Sequence, residues 1–217
     1  MSKNYSHEVA DAIKDFFVQD DWSFSFDEEK GIFRLGVGMK GQIKTLSYIV
    51  NVGNDAYTVY ATSPIGADAK DGSMMAILSE FICRANYGLR NGNFELDCND
   101  GEIRYKVFVD CDGIVPTKAI VQDSIHCPAG MFQRYESGII GIIFNGLSAK
   151  EAIDKSEKPS LEALREFVSS HPEMAELAAN LGLDAAPASE GEEAGSSEIG
   201  NGGEEVNMEL FGTSTSQ

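Results

Sequence analysis

Between residues 22 and 61 the chain holds four stretches in which apolar and polar residues alternate, joined by connections too short for a parallel crossover. Strands joined this way must form an antiparallel meander, which removes most α/β topologies from consideration. In the first stretch Trp22, Phe24 and Phe26 alternate with Ser23 and Ser25, a period of two that puts three aromatics on one face. A turn over 27–31 leads to the second, where Phe33, Leu35 and Val37 alternate. The third covers 46–52 and the fourth 56–61. Gly53-Asn54-Asp55 separates them and supplies residues that tolerate positive φ, as a tight hairpin requires.

A second hairpin is written into residues 85–110, ANYGLRNGNFELDCNDGEIRYKVFVD. Its first part is a helix end, with Gly88 placed to close the helix in a left-handed conformation. Phe94 and Leu96 then alternate in one strand, Asn99-Asp100-Gly101 turns the chain, and Ile103, Tyr105, Val107 and Val109 alternate in the return strand.

Helical periodicity fills the remainder. Val9, Ile13, Phe16 and Phe17 make one stripe on a helix over 6–18, with Ser6 as N-cap. Met74, Ile77, Leu78, Phe81, Ile82 and Ala85 keep the same spacing over 73–87. A helix is expected over 116–125, and Pro128 opens another that runs to 145, weakened by Gly138, Gly141 and Gly146. Ser148 and Glu151 form a capping box for a short helix. A helical hairpin is expected over 160–169 and 172–181. The fold class is α+β, an antiparallel sheet packed against helices.

The formal net charge of −18 argues against nucleic acid and against anionic lipid, both of which need clustered Lys and Arg. Eight acids and no base fall in 184–217, where large apolar residues almost vanish. That composition cannot offset the entropy of ordering, so a disordered tail is expected. One apolar cluster near its end, with Met208, Leu210 and Phe211, is a candidate docking motif. The domain organisation is then an α+β domain over 1–147, a helical extension over 148–183 and the tail. Cys83, Cys98, Cys111 and Cys127 make no C-x-x-C pair, the N-terminus has no apolar leader, and no apolar run reaches a membrane span of about 18 residues. A cytoplasmic protein with reduced thiols is expected.

Several motifs suggest chemistry and have plainer explanations. Gly36-Val37-Gly38-Met39-Lys40-Gly41 fits G-x-G-x-x-G, but a strand follows it where dinucleotide binding needs a helix. Cys111, His126 and Cys127 lack the paired short spacing of a zinc site. Asp97, Asn99 and Asp100 start like a calcium loop, yet the sixth position is Glu102 and the twelfth Phe108, so a hairpin turn explains them better. His7 and His171 sit at helix starts without catalytic partners. Arg84, Arg90 and Arg104 suit pairing with Glu95, Asp97 or Glu102 across the hairpin. No catalytic residue, metal ligand or cofactor is assigned.

The run NYGL-x-x-GNFELD-x-x-DGEIRYK over 86–106 resembles the hallmark of the YbjN-like family of bacterial domains. With weaker agreement from the first helix, the Trp22 strand pair and the helix after Pro116, the resemblance spans about 5–145. It implies a fold similar to type III secretion chaperones, a homodimer, and a protein-binding role as a regulator or chaperone-like adaptor rather than an enzyme. The alternative is a small-molecule sensor, or an enzyme whose site forms only in three dimensions. The candidate partner or ligand surface is Asn86, Tyr87, Asn91, Asn93 and Arg104, at the junction of helix and hairpin.

Overall fold

The computed structural model describes residues 5–158, and within them helix α1 spans His7–Gln19 with Ser6 as its N-cap. The Ser6 hydroxyl accepts the Val9 N–H at 3.3 Å, and Val9, Ala10, Ile13, Phe16 and Phe17 are buried. The chain then enters a six-stranded antiparallel sheet of order β1-β2-β3-β4-β6-β5. The strands are β1 (Ser25–Asp27), β2 (Ile32–Gly38), β3 (Thr45–Val52), β4 (Ala56–Thr62), β5 (Asn93–Leu96) and β6 (Ile103–Asp110). The first four run as the expected meander. Helix α2 (Gly72–Asn86) then carries the chain to the far edge, so that β6 returns beside β4.

β1 is shorter than the alternation of Trp22, Phe24 and Phe26 implies. The Trp22 N–H is still bound to the Phe17 carbonyl at 2.8 Å, and Asp21 has φ 54°, so this stretch finishes the helix before it pairs. The aromatics nonetheless face inward. Phe26 stacks on Phe33 at 4.2 Å and Phe24 lies 5.8 Å from it. The 53–55 turn also departs from expectation, since none of its residues takes a positive φ. It closes through the Gly53 N–H bond to Ala56 at 2.8 Å, and a Cβ on Gly53 would meet the Ala56 carbonyl at 3.2 Å.

The two helices expected on either side of Pro128 are one, α3 (Lys118–Asn145), with Pro128 buried inside it. Proline removes one backbone hydrogen bond, but packing on both sides of it outweighs that loss. Ser124 shares a 2.8 Å hydrogen bond with the Tyr57 hydroxyl beneath the helix, while Phe132, Tyr135 and Ile139 are fully buried further on. Gly146 is the left-handed cap of this helix rather than a weak point within it. Gly138 permits a close approach: a Cβ there would meet Phe81 at 2.6 Å and the Ala152 carbonyl at 2.8 Å.

The Ser148–Glu151 capping box is present at the start of α4 (Ala149–Glu157). Ala149 and Ala152 are buried in the same core as the sheet, so α4 packs with the elements that precede it. Tyr48, Tyr57, Tyr105, Phe33 and Phe94 line the inner face of the sheet under the helices. Residues 160–181, residues 184–217 and the Met208, Leu210 and Phe211 cluster lie outside the described residues. Among the described residues, no helix is long and apolar enough to cross a membrane.

Candidate partner-binding face

The helices cover one face of the sheet, so every second strand residue points the other way. On that open face β3 places Thr45, Ser47, Ile49 and Asn51, all exposed. Antiparallel register sets Arg34 beside Ile49, Ile49 beside Tyr60, and Tyr60 beside Lys106. These four side chains therefore form one row across β2, β3, β4 and β6. A neighbouring row runs Gly36, Ser47, Thr62, Arg104 and Glu95. Phe108 stands beside Thr58 on the same face and is 59% exposed, while Ile49 is 40% exposed.

Three groups organise the charge here. The Glu95 carboxylate accepts from Arg104 Nε at 2.7 Å and from Lys106 Nζ at 2.6 Å. Arg104 also lies over the Tyr60 ring, 4.6 Å from its centroid. Partial burial pushes the Glu95 carboxyl up, but the hydrogen bonds from Lys106 and Arg104 outweigh it and hold the group below the usual carboxylate range. The clamp holds both cations on the sheet, with Arg104 over the Tyr60 ring.

Of the five residues expected to form a surface, Asn86 and Asn93 meet at the Phe94 carbonyl. The Asn86 amide donates to the Phe94 carbonyl at 2.9 Å and accepts the Phe94 N–H at 2.8 Å, which ties α2 to β5. The Asn91 carbonyl accepts the Tyr105 hydroxyl and the Cys127 thiol. Asn93 donates to the Phe94 carbonyl at 3.2 Å from its place on β5. Tyr87 stands 92% exposed at the end of α2. Arg104 belongs to the open face and borders a hollow of about 300 Å³ with Glu95, Leu96, Asp97, Cys98 and Glu102; the other four do not border it. Arg84 pairs within its own helix, with Glu80 at 2.7 Å, rather than across the hairpin.

The remaining motifs take structural positions. Gly41 lies against the Glu136 carboxylate, which accepts the Ile43 N–H at 3.2 Å and pins the β2–β3 connection to α3. Asp97 accepts the Asn99 N–H at 2.8 Å in the hairpin turn. Cys111 is buried, whereas His126 is exposed and edge-on to Trp22 at 5.6 Å. Among the described residues, no group of three His, Cys, Asp or Glu is placed to hold a metal.

The sequence holds a signal for Ile49, Tyr60 and Phe108. In β3, β4 and β6 the buried phase holds Tyr48, Val50, Val59, Tyr105 and Val107, and each of the three occupies the opposite, polar phase. A large apolar residue out of phase on a strand marks an apolar spot on the open face. No family model matches the chain, and comparison with curated proteins and with solved structures gives no match either.

Proposed function

We propose that this chain is a non-enzymatic, protein-binding regulator or chaperone-like adaptor of the bacterial cytoplasm, and that its partner docks on the open face of the sheet. The observation that carries the reading is the row Arg34, Ile49, Tyr60 and Lys106, flanked by exposed Phe108, on a sheet whose other face is the core. An apolar centre with charged surroundings is the usual composition of a protein contact. Magnitudes favour the centre as the source of affinity. Fully burying an isoleucine or phenylalanine is worth about 1.5–3 kcal/mol, whereas an exposed ion pair contributes at most about 1 kcal/mol. The likeness of residues 86–106 to the YbjN-like hallmark points the same way, toward a domain that holds another polypeptide, including a second copy of itself.

The test is capture on immobilised full-length protein from its own cells, comparing the wild type with Ile49→Glu/Phe108→Glu. Both side chains are exposed, so the variant is expected to keep the wild-type melting temperature within about two degrees, given that surface changes cost under about 0.5 kcal/mol. A partner retained by the wild type and lost by the variant supports the reading. Equal retention by both overturns it.

A further inference from the structure

We propose that the open face selects an extended acidic segment of a partner protein, one apolar residue between two carboxylates; this rests on the partner-binding reading above. The whole chain carries −18, yet the six strands of the described residues carry Arg34, Arg104 and Lys106 against Asp27, Glu95 and Asp110. The excess of acid therefore lies off the sheet. Both aspartates occupy the last positions of their strands, and Asp27 faces Lys30 at 3.8 Å. Among the described residues, Glu95 stands among three cations over the middle of the face, with Glu102 at its edge 4.0 Å from Arg104. Arg34 is exposed and has no ion pair among the described residues. At physiological salt electrostatic fields fade over about 8 Å, so a docked segment senses this local positive sign rather than the net charge of the chain.

The row also sets a length. Strands lie about 4.8 Å apart, so Arg34 and Lys106, three strand steps from each other, have backbones about 14 Å apart. An extended peptide advances about 3.4 Å per residue, and its residues i, i+2 and i+4 project to one side. Carboxylates at i and i+4 thus span the two cations while residue i+2 lies over Ile49 and Tyr60. Beside this row Gly36, Ser47 and Thr62 form a low floor, and the space above Gly36 is open. Same-face rows are about 7 Å apart, enough for an extended backbone and too narrow for a helix about 10 Å across.

The experiment is fluorescence anisotropy of full-length protein at physiological salt, with labelled peptides carrying Glu-Ser-Leu-Ser-Glu or Lys-Ser-Leu-Ser-Lys. The acidic peptide is expected to bind and the basic one not. Arg34→Glu, which disturbs no ion pair among the described residues, should weaken the acidic peptide about five-fold, the equivalent of one exposed ion pair. Equal binding of both peptides, equal binding by wild type and Arg34→Glu, or no binding at millimolar peptide overturns the proposal. So does single-stranded oligouridylate that binds in place of the peptide and is lost in Arg34→Glu. If the acidic peptide fails while Ile49→Glu/Phe108→Glu still loses its captured partner, the selectivity is wrong and the face stands. If that variant keeps its partner, both readings fall.

Discussion

Glu95 shows how one carboxylate can organise a surface without being buried. Its hydrogen bonds to Arg104 and Lys106 depress its pKa in the folded chain. A depressed carboxyl contributes stability above its unfolded pKa, near 4.3, and that contribution is lost as pH falls through the folded value. Glu95→Gln should therefore melt below the wild type at pH 7, by about 0.5–1 kcal/mol, and the gap should close as pH is taken down past 4. Melting curves from pH 7 to pH 3 give the result; a gap that persists unchanged in acid would show that the clamp is not ionic. Two glycines separate strain from crowding. Gly88 has φ 115° with open space around it, so Gly88→Val meets conformational strain alone and should cost about 1–2 kcal/mol. Gly138 has an ordinary φ, but its Cβ would strike Phe81 and the Ala152 carbonyl, so Gly138→Ala should cost about 1–3 kcal/mol. Urea midpoints of the two variants check both. The Gly88 role was legible because a helix period stops just before it. The Gly138 role was not, because the helix that crosses it is remote in sequence.

At the scale of elements, local signals were read well where one residue satisfies a defined backbone group. Ser6 and the Ser148–Glu151 box mark helix starts in sequence and cap them in the fold. Asp71 was missed. Its Oδ1 accepts the N–H groups of Ser73 and Met74, both at 3.0 Å, and caps α2, which begins at Gly72, one residue before the expected start. Asp71→Ala should lower stability by about 1 kcal/mol, with Asp71→Asn keeping most of it, as read from thermal melts. Equal losses in both variants would show that charge, not the side-chain acceptor, is what matters there. Pro128 misled for a physical reason. A proline in a helix costs a hydrogen bond, and nothing local reveals that Ser124, Phe132 and Tyr135 anchor both halves of α3 over the sheet. β1 was overextended because alternation reports which face a side chain takes, not whether its backbone is paired.

For the whole of the described chain, alternation and short connections were enough to expect an antiparallel sheet under helices, and that architecture is present. The placement of β6 between β4 and β5 depends on long-range pairing that no local pattern contains. The candidate surface was drawn around the hairpin junction because polar residues cluster there in sequence. In three dimensions Asn86 ties α2 to β5, Asn93 bonds within β5, and among the described residues the sheet face away from the helices is built from alternate residues of four strands. On the function proposed above, a polypeptide partner occupies this surface. The most direct measurement places a photo-crosslinking amino acid at position 49 of the full-length protein in its own cells, and at exposed Gln122 on α3 as the comparison. A discrete cross-linked protein is expected at position 49 and none at position 122. Cross-links at 122 and none at 49 would contradict that function.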